Sequence, residues 1–267
     1  MTLIPTMTIE YDLNETPIKN NPRYYLGLSE IGDPCHRKLQ YNHYWAYESL
    51  ITERMQRLFN FGHLMEPVMI EDLKRHGYEV YRDSIPIIAT AGHWRGHIDG
   101  VAIKNSIKML LEMKTHKDSS FKNMRKYKVK VAKPSHYAQM QAYMGYKKLL
   151  MALYMAYNKD TSEYYIEFVP FDPEYFRELQ RKEMEIISAD VLLPRIGSNS
   201  PSWFECKMCS ASAVCFKKEP VRRTCRSCIN VVVETDGRWV CSLTELTLGT
   251  HQQEAACNDY DLEEMFQ

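Results

Sequence analysis

The cysteines constrain the fold of this chain more than any other feature. Seven of the eight cysteines in the 267-residue sequence follow residue 205, and Cys35 stands alone near the start. The first eleven residues do not combine a basic start with an apolar stretch, so we expect no secretion and a reducing cytoplasm. Thiols in such a compartment are more often metal ligands or core residues than disulfides. Their spacing therefore has to decide between these two uses.

The first cysteine set has the spacing Cys206-x2-Cys209-x5-Cys215, which is too regular for three core thiols. A thiolate site of this kind needs a fourth ligand, and the isolated Cys35 is the candidate. Four thiolates accept an iron-sulfur cluster or a zinc ion, and the spacing leaves both open. Either group would tie the two ends of a domain together.

The second set is Cys225-x2-Cys228-x12-Cys241-x15-Cys257. Asp236-Gly237 lies between two β-like runs, 229–235 and 238–243, and predicts a hairpin. A segment of about 45 residues buries too little apolar surface to fold well alone, so a structural zinc would supply folding energy. We predict a zinc ribbon over residues 221–267, with His251 as a possible substitute for Cys257.

The composition describes a globular protein with an uneven distribution of charge. Hydrophobic residues make up 45% of the chain, and no apolar stretch approaches the roughly 18 residues of a membrane span. The 34 basic and 34 acidic residues cancel, yet Lys114 to Lys133 holds eight bases and one acid, and Glu234 to Gln267 holds eight acids and one base. The basic run is by default a solvated surface, but it can also bind the phosphates of a nucleic acid. The acidic tail argues against DNA contact at the extreme C-terminus.

Hydrophobic periodicity predicts a mixed α/β (α+β) core over residues 23–220, with one sheet covered by helices. Residues 1–22 are polar and contain three prolines, which favours an extended arm. The predicted elements, in chain order, are a helix over 50–76 kinked or broken near Pro67, a meander of strands over 79–88, 94–103 and 108–115, a helix over 134–157, a strand over 163–171 and a helix over 173–193.

Three charged residues form the candidate catalytic cluster. Asp99 follows Gly96-His97-Ile98, and Glu112-Met113-Lys114 begins thirteen residues after it. Side chains two apart on a strand share a face, and the hairpin partner can bring Asp99 beside Glu112. Two carboxylates suit magnesium, which keeps waters and phosphate oxygens as its other ligands, and Lys114 would sit beside a metal-bound water. By itself a Glu and a Lys two apart is more often an ordinary surface hairpin.

This cluster resembles the PD-(D/E)XK nuclease superfamily, and further motifs are similar to its RecB-like and YqaJ-like exonuclease branches. The resemblance implies a restriction-endonuclease-like core and a site for Mg²⁺ or Mn²⁺ held by Asp99 and Glu112. His63 or Glu66, in Gly62-His-Leu-Met-Glu66, would be a further ligand, together with the Met113 carbonyl. One departure is Ile98 before Asp99, where the motif is named for proline.

The segment after the basic run also carries the resemblance. Gln139-Met-Gln-Ala-Tyr143 is similar to the Gln-x-x-x-Tyr motif of RecB-like nucleases, whose residues contact the DNA backbone. Cys35, with Arg37 and Tyr41 and the three cysteines after residue 205, is similar to the iron-sulfur cysteines of AddB and of CRISPR-associated RecB-like nucleases. The resemblance therefore implies a 4Fe-4S cluster at the first quartet.

The leading hypothesis is a metal-dependent DNA exonuclease of phage type, acting in recombination, repair or degradation on single-stranded DNA or duplex ends. A structure-specific or restriction-type endonuclease is the alternative with the same chemistry. A third reading is a catalytically silent DNA-binding subunit that keeps only the metal-stapled scaffold. A recombination protein is a possible partner, and no membrane is expected.

Overall fold

The structure is a computed structural model that describes residues 6–19, 23–82, 86–89, 91–197 and 199–267. Its helices are α1 (Thr6–Glu15), α2 (His36–His43), α3 (Glu53–Arg75), α4 (Asp118–Ala132), α5 (Pro134–Lys147), α6 (Pro173–Ser188), α7 (Phe204–Lys207), α8 (Ser212–Cys215) and α9 (Thr250–Glu254). Its strands are β1 (Pro17–Lys19), β2 (Leu26–Gly27), β3 (Leu50–Thr52), β4 (Glu79–Tyr81), β5 (Ile87–Ile88), β6 (Trp94–Gly96), β7 (Gly100–Lys104), β8 (Ile107–His116), β9 (Met151–Asn158), β10 (Tyr164–Pro170), β11 (Val231–Val233) and β12 (Trp239–Cys241). Within these residues no helix is long and apolar enough to cross a membrane.

A five-stranded mixed sheet forms the centre of the molecule, in the order β10-β9-β8-β7-β4. Strands β8 and β9 run parallel, and α4 and α5 make the crossover between them, as parallel neighbours require. Side chains alternate between the faces of β8, so Leu110 packs among residues of α5 and α6 while Leu111 packs against Met69 and Leu73 of α3. The predicted α/β (α+β) core with a covered mixed sheet is confirmed.

Helix α3 covers one face of this sheet as a single helix. The Thr52 side chain caps its start by accepting from the Met55 N–H at 3.2 Å, and Met69, Ile70 and Leu73 are buried at its far end. It continues through Pro67, so the predicted break is not found.

The prediction of one helix over 134–157 is wrong in its second half. Helix α5 ends at Lys147, and Lys148 adopts a left-handed conformation with φ 54°. Residues 151–158 then form β9, which lies between β8 and β10. Because both faces of β9 are covered, its sequence is a continuous apolar run that lacks the alternation of a half-buried strand.

Smaller predictions also need correction. The described part of the N-terminal segment is not an extended arm, because 6–15 is helical and β1 pairs with β3; residues 1–5 and 20–22 lie outside the described residues. The predicted strands 79–88 and 94–103 each divide, because β5 and β6 join β2 in a separate three-stranded sheet. Residues 83–85 lie outside the described residues. The strand 163–171 is confirmed, and the following helix ends at Ser188 rather than near 193.

The C-terminal segment contains the predicted hairpin. Strands β11 and β12 pair antiparallel, and Gly237 in the turn has φ 91°, a conformation that favours glycine. This segment shares a hydrophobic core with α2, where Tyr41 and Tyr44 pack with Trp239 and Phe266. Residues 221–267, which we call the C-terminal module, therefore pack against the N-terminal part of the chain.

Candidate active site

The ends of β7 and β8 bring the three predicted catalytic residues together. Gly100 pairs with Leu111 across the antiparallel ladder, so Asp99 lies opposite Glu112 by one further step of the register. The Asp99 carboxylate accepts the backbone N–H of Met113 at 2.7 Å, and the Lys114 ammonium donates to Glu112. The N–H and C=O of a strand residue point to the same side, so the Met113 carbonyl is directed toward Asp99 as well.

Burial removes Glu112 from solvent, while the Lys114 side chain stays 27% exposed. Glu112 is fully buried, and its Oε2 has no hydrogen-bond partner among the described residues. Burial raises the pKa of Glu112 to about 7 against the opposing effect of Lys114, and burial also raises the pKa of Asp99. Burial alone would lower the pKa of Lys114, but the charges of Glu112 and Asp99 outweigh it, so that the pKa is raised. The site therefore holds a protonated lysine between two carboxyl groups that lack full compensation.

Of the two residues on α3, Glu66 is the one close to this cluster. After burial and Lys114, the charge of Glu66 is among the causes that shift the pKa values of Asp99 and Glu112. The Glu66 side chain is 21% exposed and accepts from Arg82 at 2.5 Å, whereas the His63 side chain is 77% exposed. Among the described residues, His63 contacts Glu66 at 3.0 Å and forms no hydrogen bond or ion pair with Asp99, Glu112 or Lys114.

A cavity of about 670 Å³ opens beside the cluster, and we call it the catalytic cavity. Asp99, Lys114, Glu66 and His63 line it, and so do two cations that the sequence analysis missed. These are Arg23, before β2, and Lys159, directly after β9. Of the basic run, Lys114 lines the cavity, and the residues that follow β8 form the amphipathic helix α4.

Gln139 and Tyr143 lie on one face of α5, and both side chains are buried. Tyr143 packs on Gly96, where a β-carbon would lie 2.6 Å from a tyrosine ring carbon. Burial raises the pKa of Tyr143, with smaller contributions from Glu112 and Asp99, which shows that the ring borders the cluster. Since neither side chain opens to solvent, their contact with DNA stays a prediction.

Three residues near Lys114, on β8, β9 and α5, form a hydrogen-bonded group that was not predicted. The Tyr154 hydroxyl lies 3.1 Å from Nε2 of His116 and 2.9 Å from Nδ1 of His136. Burial lowers the pKa of His116 to about 4 and that of His136 to about 2, so both rings are neutral near pH 7. The group supports the β8–β9 pair from the α5 side. Its signal was lost because β9, which carries Tyr154, was predicted as helix.

The four cysteines of the first quartet, Cys35, Cys206, Cys209 and Cys215, line one cavity of about 270 Å³. Burial raises the pKa of Cys206 and of Cys209, and Cys35 adds to both shifts, so the remote N-terminal thiol has joined the other three. Arg195 donates to the Cys215 sulfur at 3.2 Å, and Lys38 also lines the cavity. The fold therefore assembles the quartet and supplies positive charge beside it.

The second quartet also converges. Burial raises the pKa of Cys225, and the further causes are its neighbours Cys257, Cys228 and Cys241, but not His251. As placed, no group of three or more His, Cys, Asp or Glu side chains in the described part of the chain is ready to hold a metal ion. The magnesium or manganese, iron-sulfur and zinc sites accordingly remain predictions.

Comparisons with known proteins give a resemblance of fold only. No protein-family model matches the sequence, and no curated protein matches it. The crystal structure of an alkaline exonuclease, LHK-Exo, from Laribacter hongkongensis aligns with a TM-score of 0.47 at 16% identity, over 62% of this chain and 88% of that chain. LHK-Exo in complex with dAMP gives 0.46 at 16% identity over 62% and 87%, and a protein designated SSO0001 gives 0.43 at 15% over 76% and 89%. A similarity of this size assigns no residue a role.

Proposed function

We propose that this protein is a metal-dependent deoxyribonuclease, and that it acts as an exonuclease. The observation that carries the proposal is the meeting of Asp99, Glu112 and Lys114 at the end of two adjacent strands, beside a cavity with cationic walls. Clusters of titratable groups with mutually shifted pKa values in a cleft are typical of catalytic sites. Phosphodiesters are anionic, which matches the cations Arg23 and Lys159 on the cavity wall.

The carboxyl groups fit a hard divalent cation. Glu112 Oε2 is buried without a partner among the described residues, and two carboxylates face one ammonium, so a cation would satisfy both the free oxygen and the charge. We propose that Asp99 and Glu112 hold Mg²⁺ or Mn²⁺, with Glu66 rather than His63 as the contribution of α3 and the Met113 carbonyl as a further oxygen. Such a cation, when bound, lowers the pKa of a bound water and offsets the charge of the phosphate.

The protein's own groups have distinct tasks in this proposal. Lys114 keeps its proton, because its pKa is raised, and its ammonium holds the attacking water or a phosphate oxygen beside Glu112. Asp99 is oriented by the Met113 N–H. Gln139 and Tyr143 support the site from α5, since Tyr143 packs on Gly96 and so holds the backbone that leads to Asp99.

Digestion of linear and circular single-stranded DNA tests the proposal. An exonuclease degrades the linear form with Mg²⁺ or Mn²⁺ and leaves circles intact, whereas the endonuclease alternative cuts both. Lys114→Ala should abolish cleavage while DNA binding is retained. Lys74→Ala, which removes an exposed lysine paired with Glu71 on α3, is the matched control and should cleave normally. Equal cleavage by Lys114→Ala and the unaltered protein would point to a contaminant and favour the silent subunit.

For the cysteines we propose a 4Fe-4S cluster at the first quartet and zinc at the second. The four cysteines line one cavity of about 270 Å³, which has room for a group larger than one ion, and Arg195 and Lys38 would offset thiolate charge. Each group would act as a structural tie. Metal analysis after anaerobic purification should find about four iron and one zinc per chain. A result of two zinc and no iron per chain would show that the first quartet holds zinc and not an iron-sulfur cluster.

A further inference from the structure

The C-terminal module inserts a buried arginine into the N-terminal part of the molecule. Arg226 is 1% exposed, and its guanidinium lies between the rings of Trp45, at 3.9 Å, and Trp239, at 4.4 Å. Burial lowers the pKa of Arg226 to about 9, and no carboxylate in the described residues acts on it. A buried cation without an ion pair is rare and has to be compensated by hydrogen bonds and aromatic faces.

The hydrogen bonds of Arg226 reach across the module boundary. Its Nη1 donates to the His43 carbonyl at 2.9 Å, and its Nη2 donates to the Tyr24 carbonyl at 2.8 Å. Nε and Nη2 both donate to the Gln253 Oε1, at 2.9 and 2.7 Å, and Gln253 is itself held by the Leu248 carbonyl. This planar set of donors is specific to arginine, since lysine carries a single point charge.

The bond to Tyr24 fixes a segment that borders the catalytic cavity. The Trp45 indole donates to the carbonyl of Arg23 at 3.1 Å, so two successive carbonyls, of Arg23 and Tyr24, are anchored by Trp45 and Arg226. The Arg23 side chain extends from this anchored backbone and lines the cavity. It is 59% exposed and lies 3.7 Å from Glu30. Because this ion pair is exposed and therefore weak, Arg23 can exchange Glu30 for another anion at little cost in free energy.

We propose that Arg23 binds a DNA phosphate at the mouth of the catalytic cavity, and that Arg226 of the C-terminal module is the positioning residue that holds it there. This inference rests on the proposed nuclease function and names a residue pair that its motifs do not contain. Lys114 acts beside Glu112 at the reaction centre, so among the described lysines and arginines of the cavity wall Arg23 and Lys159 are left to hold the rest of the strand. Arginine is suited to this task because its planar donors match two phosphate oxygens.

Binding of a labelled single-stranded oligonucleotide, without added divalent cation, tests the inference independently of cleavage. Arg23→Ala should weaken binding about tenfold and lower the slope of log K against log salt by about 0.7, the value for one phosphate contact on a single strand. Arg23→Lys should recover part of the affinity. Arg177→Ala, on an exposed arginine of α6 paired with Glu174, is the matched control and should change neither quantity.

A double-mutant cycle separates positioning from general stability. Arg226→Lys should weaken binding about threefold, and the double variant Arg23→Ala with Arg226→Lys should bind no worse than Arg23→Ala alone. If Arg226→Lys fails to fold, Trp45→Phe replaces it, because phenylalanine keeps a ring against Arg226 and loses only the bond to Arg23. Additive losses in the cycle, or unchanged binding by Arg23→Ala, would overturn the inference.

Failure of this inference can be told apart from failure of the proposed function. A protein that binds DNA through Arg23 and never cleaves it contradicts the nuclease proposal alone. A protein that cleaves DNA and is unaffected by Arg23→Ala contradicts the positioning role alone. A protein that binds neither this oligonucleotide nor a duplex with free ends contradicts both.

Discussion

Two buried glutamates invite comparison, because they look alike when each is viewed alone. Glu112 in β8 and Glu183 in α6 are both fully inaccessible, and burial raises the pKa of each to about 7. Each also has one carboxyl oxygen, Oε2 of Glu112 and Oε1 of Glu183, without a hydrogen-bond partner in the residues that the structure describes.

Their neighbours distinguish them. The pKa of Glu112 responds, after burial, to Lys114, Asp99 and Glu66, whereas that of Glu183 responds only to the Tyr146 hydroxyl, which donates to it at 2.5 Å. Glu183 lies among the apolar contacts of α5 and α6, away from the residues of the catalytic cavity. A raised pKa therefore reports burial, and the convergence of several charges beside a cavity is what indicates chemistry.

The largest expected effect is a difference in DNA cleavage between variants of the two glutamates. Glu112→Gln should lower the single-turnover rate of DNA cleavage about 10³-fold, because it removes a charged cation ligand and the partner of Lys114. Glu183→Gln should cleave within about twofold of the unaltered protein, since Glu183 is not among the residues that line the catalytic cavity. If both variants reduced cleavage equally, the loss would come from replacing a buried glutamate in general, and not from the cluster around Glu112.

The second effect is the pH dependence of stability that Glu183 imposes. Its pKa rises from 4.5 to about 7 on folding, so the folded state binds the proton more tightly than the unfolded chain does. This contribution is fully present below pH 4.5 and is lost as the pH rises to about 7. The loss is about 3 kcal/mol, at about 1.4 kcal/mol for each pH unit between the two values.

Glu183→Gln measures this contribution, because glutamine stays neutral at every pH. Denaturant unfolding from pH 4 to pH 8 should show a flatter profile for the variant, with the gain over the unaltered protein greatest at pH 8. Parallel profiles for the two proteins would mean that Glu183 is ionised in the folded state or reached by water.

The third effect divides the two candidates on α3. Glu66→Gln should reduce cleavage about 10²-fold, because the Glu66 charge acts directly on the carboxylate cluster. His63→Ala should reduce it less than about threefold, because the exposed imidazole contacts only Glu66. Cleavage rates titrated with Mg²⁺ should show that Glu66→Gln alone needs a higher Mg²⁺ concentration to reach half of its maximal rate, because it has lost a cation ligand. The reverse order would assign the ligand to His63.

Much of the cluster could be predicted from the sequence because strand geometry is local. The side-chain period of two and a short turn place Asp99 opposite Glu112 once residues 100–116 form a hairpin, and the structure has that register. The Asp236-Gly237 hairpin is confirmed for the same reason, since the tight turn needs a residue with positive φ and Gly237 supplies it.

What could not be predicted depends on contacts between distant segments. Strand Met151–Asn158 is buried on both faces, so its sequence does not show the polar–apolar alternation by which a strand is recognised. As a result, neither Tyr154 nor Lys159 could be predicted near the site. Arg23 and Arg226 carry no local signal, because a buried arginine and an exposed one look the same in the sequence. Glu66 and His63 share a helix turn, and only the packing of α3 on the sheet decides between them.

The smallest expected effect tests the support below the cluster through two glycines. A β-carbon at Gly96 would lie 2.6 Å from the Tyr143 ring, so Gly96→Ala should displace Tyr143 and the backbone leading to Asp99, and slow cleavage about tenfold. Gly62 lies in the middle of α3, and no atom of the described residues is within 4 Å of the same position, so Gly62→Ala should preserve cleavage and stabilise the fold by about 0.5–1 kcal/mol. Rates and thermal unfolding of the pair provide the measurement. Slower cleavage by Gly62→Ala would instead place DNA against that helix face, where only glycine leaves room for the strand.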